Sequence, residues 1–155
     1  MTNLHKYNTS SSLLYPELSY KLQGAFFTVY NTLGFGHKEI AYQRALGEEL
    51  KKQNIPHSRE LSLPILYNKT KVADYRPDFV IDHKIIVEIK AVEFLFPKLI
   101  TQLTYYLKGT HLSLGYLVNF GSSRLQIVRR IWTPNYQPKI RDNSLLIRGN
   151  PEVQQ

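Results

Sequence analysis

The chain is 155 residues long, 43% hydrophobic and 21% charged, proportions that fit one soluble globular domain with room for a real core. It contains no cysteine, which excludes disulfides, cysteine-ligated zinc, iron–sulfur clusters and cysteine nucleophiles. A formal charge of +8 favours an anionic partner such as nucleic acid, and residues 121–155, with six basic and two acidic side chains, carry half of the excess.

Residues 1–14 have no periodic pattern and read as a flexible N-terminal arm. Their Ser/Thr/Asn-rich start lacks the apolar segment of a signal peptide, and no apolar run in the chain approaches the roughly 18 residues of a membrane span. The expectation is a cytoplasmic protein without a membrane partner. Tyr15-Pro16-Glu17 opens a first helix, with proline where its missing N–H does no harm. Leu18, Leu22, Ala25, Phe26, Val29, Tyr30 and Leu33 then recur at helical spacing and give it a core-facing stripe. Gly34-Phe35-Gly36 ends it as a turn, since no strand precedes the glycines and no Gly-Lys-Ser/Thr follows.

A second helix is expected from about Lys38 to Gln53. Tyr42, Leu46 and Leu50 form its stripe, and Glu39 falls on the same stripe at the N-terminal end. Glu39 is either a first-turn acid favoured by the helix dipole or a carboxylate aimed inward at a site; the helix alone does not choose. Leu61 to Tyr67 reads as a strand with Pro64 at an edge or bulge. Asn68-Lys69 turns the chain, and Lys71 leads into two further strands, Tyr75–Ile81 and Ile85–Ala91, joined by the polar turn Asp82-His83-Lys84. Strict alternation puts Tyr75, Pro77, Phe79 and Ile81 on one face of the first, and Arg76, Asp78 and Val80 on the other. On the second, Ile85, Val87, Ile89 and Ala91 oppose Ile86, Glu88 and Lys90. Pro97 opens a third helix, to about Lys108, on which Gln102 and Tyr106 are four apart and adjacent. Leu114–Phe120 and Leu125–Trp132 are the last strands. The expected order is helix, helix, three strands, helix, two strands: an α/β domain over residues 15–132 with a mixed sheet, followed by a tail over 133–155.

The histidines His5, His37, His57, His83 and His111 are scattered without metal-ligand spacing, and no nucleophile elbow, P-loop or dinucleotide fingerprint appears. The acids and one lysine remain. If the hairpin pairs antiparallel, parity lets Asp78 share a face with Glu88 and Lys90. Two carboxylates about 4 Å apart repel by roughly 4 kcal/mol at an effective dielectric near 20, and a divalent cation between them reverses the sign. Hard oxygen donors with room for water suit Mg²⁺ or Mn²⁺, and Lys90 beside them can orient the attacking water or offset phosphoryl charge. The plainer alternative is an exposed face with surface ion pairs.

Pro77-Asp78 followed by Glu88-Ile89-Lys90 resembles the signature of the PD-(D/E)XK nuclease superfamily. Gly36-His-Lys-Glu39-Ile-Ala-Tyr42 resembles the Gly-x-x-Glu-x-x-Tyr motif of the bacterial GxxExxY family. Asp74–Asp78, Val87–Glu93, Gln102–Leu107 and Leu117–Gly121 resemble its later blocks in the same order, so that the likeness spans about residues 18–131. It implies a restriction-endonuclease-like αβββαβ core and a metal site of Glu39, Asp78 and Glu88, with Lys90 as catalytic lysine. Gln102 and Tyr106 match the Gln-x-x-x-Tyr element of RecB-like members, which lies beside the active site and can contact DNA. The implied function is Mg²⁺- or Mn²⁺-dependent hydrolysis of phosphodiesters in nucleic acid, DNA before RNA. Arg76, Arg129 and Arg130 are candidates for a phosphate-tracking rim. The alternative is a catalytically silent nucleic-acid-binding or scaffold module of the same fold, and a homodimer or a larger nucleic-acid-processing complex stays open.

Overall fold

A computed structural model describes residues 14–134. The arm over 1–14 and the tail over 133–155 lie, apart from Leu14, Thr133 and Pro134, outside the described residues. Among these the order is α1 (Pro16–Leu33), α2 (Glu39–Lys52), β1 (His57–Arg59), β2 (Leu63–Tyr67), β3 (Thr70–Tyr75), β4 (Phe79–Ile81), β5 (Ile85–Lys90), α3 (Pro97–Thr110), β6 (Leu114–Asn119) and β7 (Gln126–Ile131).

Five strands form a central mixed sheet in the order β1-β4-β5-β6-β7, and β2 and β3 form a separate two-stranded sheet. β5 and β6 are parallel, with α3 as the crossover between them, and every other neighbouring pair is antiparallel. A parallel pair needs such a long connection, whereas Asp82-His83-Lys84 suffices for the antiparallel β4–β5 pair, with Asp82 and His83 at positive φ. The α/β class and the flanked mixed sheet are thus those expected, but five strands precede α3 where three were expected. β1 escaped notice because three residues, His-Ser-Arg, carry no apolar alternation, and β3 is exposed along all but its last residue.

Helices cover both faces of the sheet. On one face, Leu22, Phe26, Tyr42, Leu46 and Leu50 of α1 and α2 pack with Phe79, Ile81, Ile85, Val87, Ile89, Tyr116 and Val118. On the other, Leu103 and Leu107 of α3 pack with Ile86, Leu117 and Tyr75. Burying each of these large side chains stabilises the fold by about 1.5–3 kcal/mol. β5 is buried on both faces except at Glu88 and Lys90, which are half-buried. α3 sits close against β6 because Gly115 has no side chain: a Cβ there would come within 2.9 Å of Leu103 Cδ1.

One part of the strict alternation fails. Tyr75 belongs to the α3 side of the sheet, not to the side of Phe79 and Ile81. The chain leaves the strand conformation at Arg76-Pro77-Asp78, between β3 and β4, so parity is not carried through. Proline cannot donate to a ladder, and this one sits where two sheets part.

Candidate active site

The α1–α2 turn is built by Tyr42. Its hydroxyl donates to Gly34 O at 2.7 Å and accepts from His37 N–H at 3.2 Å, while its ring stacks on Phe120 with centroids 4.8 Å apart. Gly36 adopts φ +105°, which strains any other residue. The turn delivers Glu39 as the first residue of α2, half-buried, over the end of β5. Burial pushes the Glu39 carboxyl above the usual range, Lys90 opposes this, Asp78 adds to it, and the Ala91 main-chain N–H lowers it again.

Asp78 precedes β4, and the register Phe79↔Val87 sets it opposite Glu88. Its Oδ2 accepts the Ile89 N–H at 2.7 Å, and its Oδ1 accepts from Gln43 Nε2 at 3.0 Å. The same Gln43 amide reaches Glu39 Oε1 at 3.4 Å and so stands between the two carboxylates. Burial raises the Asp78 carboxyl, against the Ile89 N–H and Lys90. Glu88 is the most perturbed acid. Burial and then the nearby Asp78 charge push it up to about 7, against Tyr75, Lys90 and the Asp78 main-chain N–H. The Tyr75 hydroxyl donates to Glu88 Oε1. That phenol is itself held above its ordinary range, first by burial and then by the Glu88 charge.

Lys90 therefore bears on all three carboxylates. The ion pairs among the described residues, Lys51–Glu48, Lys71–Asp74 and Lys84–Asp82, lie elsewhere. Facing Glu88 and Lys90 across a narrow cleft are Leu99, Gln102, Leu103 and Tyr106 of α3. Gln102 Nε2 donates to Tyr106 Oη at 2.9 Å, and the Tyr106 ring stacks on Tyr75.

The loop leaving β5 is clamped from β6. Asn119, fully buried, accepts from Val92 N–H and Gly121 N–H, each at 3.0 Å, and donates to Val92 O at 2.8 Å and Gln126 Oε1 at 2.7 Å. A Cβ on Gly121 would lie 2.3 Å from Val92 N, so only glycine permits this approach. The clamp fixes Ala91–Val92, the segment that joins Lys90 to the N–H facing Glu39.

The structure thus brings Glu39, Asp78, Glu88 and Lys90 to one end of the sheet, with Gln102 and Tyr106 on the facing helix. Arg76 is exposed in the β3–β4 break, where its charge acts on Asp74. Arg129 departs from the expected rim. It alternates with Ile127 and Ile131 on the face opposite α3, and its Nε and Nη2 are buried. Sequence reasoning missed Gln43, Tyr75 and Asn119. Gln43 follows Tyr42 by one residue and Asn119 lies inside Leu117–Gly121, but nothing in either run says what the side chain touches.

Among the described residues, no group of three or more His, Asp or Glu is arranged as it stands to hold a cation. Gln43 lies between Glu39 and Asp78, and Tyr75 occupies one Glu88 oxygen. Asp78 and Glu88 nevertheless form a fitting donor set: two hard carboxylates, partly desolvated and raising each other's cost, with oxygens held by neutral donors that a cation can displace.

A family model described as the PD-(D/E)XK nuclease superfamily matches residues 16–131. No curated protein matches the chain. Among solved structures, one titled "Crystal structure of SSO0001" is similar at 14% identity, covering 88% of this chain and 89% of that one, with a TM-score of 0.43.

Proposed function

The chain belongs to the PD-(D/E)XK nuclease superfamily, and on that footing we propose that it is a divalent-metal-dependent nuclease that hydrolyses phosphodiester bonds in DNA. One observation carries the reading: three half-buried carboxylates, Glu39, Asp78 and Glu88, share the charge of a single lysine, Lys90, at one end of the sheet. Such a group is costly to fold unless a cation or substrate compensates it. Asp78 and Glu88 would hold Mg²⁺ or Mn²⁺, with Glu39 as the third carboxylate once the Gln43 amide yields. Held there, the metal would supply Lewis acidity at the phosphate and a water of lowered pKa.

The chain's own groups do the rest. Lys90 orients the attacking water or balances the charge that grows on the phosphoryl oxygens. Tyr75 holds Glu88 in place, and Gln102 with Tyr106 lines the strand's path on α3, with Arg76 offering a phosphate contact outside the cleft. The ordered blocks from Gly36 to Gly121 favour the GxxExxY branch, and Gln102 with Tyr106 the RecB-like relationship. A cytoplasmic location belongs to the same proposal.

The test is incubation of the full chain with single-stranded, duplex and branched DNA and with RNA, in Mg²⁺, Mn²⁺ and EDTA. The expected result is metal-dependent cutting of DNA that is abolished by Asp78→Ala and by Lys90→Ala. Binding without cutting under every metal condition, unchanged by either substitution, overturns it in favour of a silent binding module.

A further inference from the structure

Four of the seven phenylalanines in this chain are half or more exposed: Phe27 at 50%, Phe35 at 57%, Phe94 at 66% and Phe96 at 65%. Phenylalanine has no polar handle to offset that exposure, so its clustering on a surface marks a place where something is bound. Three of the four lie in the two loops that bound the candidate site. Phe35 sits in the α1–α2 turn, four residues before Glu39. Phe94 and Phe96 sit between β5 and α3, three and five residues after Ala91, whose N–H faces Glu39. At up to about 3.6 Å per residue, the chain keeps Phe35 within about 14 Å of Glu39 and Phe96 within about 18 Å of Ala91, the span of a few nucleotides. Phe96 is also bound to the cleft wall: its carbonyl accepts the N–H of Leu99, which lines the cleft with Glu88 and Lys90.

Two cations flank the rings along the chain, with one acid, Glu93, exposed beside Phe94. Lys38 is exposed next to Glu39, and Lys98 is exposed two residues after Phe96. Alternating aromatic planes and ammonium groups along one path is the chemistry that holds an unpaired polynucleotide: bases stack on the rings while phosphates meet the lysines. A duplex offers no base faces to such rings. An apolar protein partner would not call for the lysines, whereas the net charge of +8 suits a polyanion.

We propose that Phe35, Phe94 and Phe96 form a stacking platform on either side of the carboxylates, and that the site takes an unpaired nucleic-acid strand whose bases rest on these rings. The proposal rests on the nuclease reading and narrows its substrate to single strands or to the frayed or flapped ends of duplexes.

The experiment measures binding of the full chain in EDTA, by fluorescence anisotropy, to labelled single-stranded DNA, to a blunt duplex of the same sequence, and to an abasic strand of the same length. The expected result is at least about tenfold tighter binding of the base-bearing single strand than of either other probe. Phe94→Ala and Phe96→Ala each weaken it by about fivefold or more and leave abasic binding unchanged, while Phe94→Tyr and Phe96→Tyr retain it. Equal binding of abasic and base-bearing strands, preference for the blunt duplex, or indifference to both alanine changes overturns the proposal. The last outcome would assign the rings to a protein partner. Because no cutting is needed, the two readings fail separately: base-dependent binding without cutting in any metal sinks the nuclease and keeps the platform, and cutting that ignores base faces does the reverse.

Discussion

Tyr75 and Tyr106 lie ring on ring, with centroids 3.6 Å apart and planes 10° from parallel. The first is the last residue of β3 and donates its hydroxyl to Glu88; the second is on α3 and accepts from Gln102. The stack therefore joins the helix that lines the cleft to the strand acid across it. Aromatic pairs of this kind contribute about 0.5–1.5 kcal/mol beyond their buried area.

Tyr75→Phe keeps the stack and removes the donor to Glu88. Stability in EDTA is expected to fall by about 1–2 kcal/mol, read by urea denaturation. The lost hydrogen bond is one of the groups that lower the Glu88 pKa, so the rising limb of activity against pH moves to higher pH. An unmoved limb would show that the hydroxyl does not act through Glu88.

Glu88 makes the metal-free protein pH-sensitive in a definite direction. Its folded pKa, about 7, is above the ordinary 4.5, so between these values the folded state holds more protons than the unfolded one. Stability from this group is complete below about pH 4.5 and is lost as pH rises through about 7, by up to about 3 kcal/mol. Melting temperature in EDTA is expected to fall across that window, and Glu88→Gln to flatten the fall. Adding Mn²⁺ at pH 7 is expected to raise the melting temperature and release protons into a weak buffer.

Gln43 occupies the space between Glu39 and Asp78. Gln43→Ala removes an amide that a shared cation must displace, and several-fold tighter Mn²⁺ binding is expected by titration calorimetry. The metal-free protein should lose about 1 kcal/mol, because two carboxylates then face each other without a donor. Weaker Mn²⁺ binding would mean that the amide positions the acids and does not stand in the way.

Asn119→Ala deletes four hydrogen bonds at a fully buried position and orphans the Val92 N–H and C=O. The expected cost is about 3 kcal/mol. Activity should fall further than stability explains, since Ala91 and Lys90 lose their anchor. Comparing kcat at a temperature where the variant is fully folded separates the two effects.

Sequence patterning reached the helices almost to the residue, because α1 and α2 carry uninterrupted apolar stripes from Leu22 to Leu50 and are punctuated by Pro16 and Gly34. It also reached the β4–β5 turn, where alternation and a polar tripeptide agree. It failed at Tyr75, whose face depends on how the chain crosses Pro77, and at β1, which pairs with β4 through its backbone and carries almost no apolar signal. Glu88 and Lys90 were visible as charges on a strand otherwise made of Ile and Val, and Asp78 by its parity with them. Their neutral partners were not, because a glutamine on a helix and a tyrosine at a strand end look ordinary until the fold sets them beside a carboxylate.

The missing side chain of Gly115 sets the gauge of the cleft. With Leu103 Cδ1 2.9 Å from where a Cβ would sit, the spacing of α3 from the sheet is fixed by a hydrogen atom. Gln102 and Tyr106 ride on that helix, so the width available to a strand between them and Lys90 is decided one layer beneath the surface that meets it. A single methyl at Gly115 would have to displace the Leu103 and Leu107 side chains beneath Gln102 and Tyr106, altering the cleft from below without changing any polar residue that lines it.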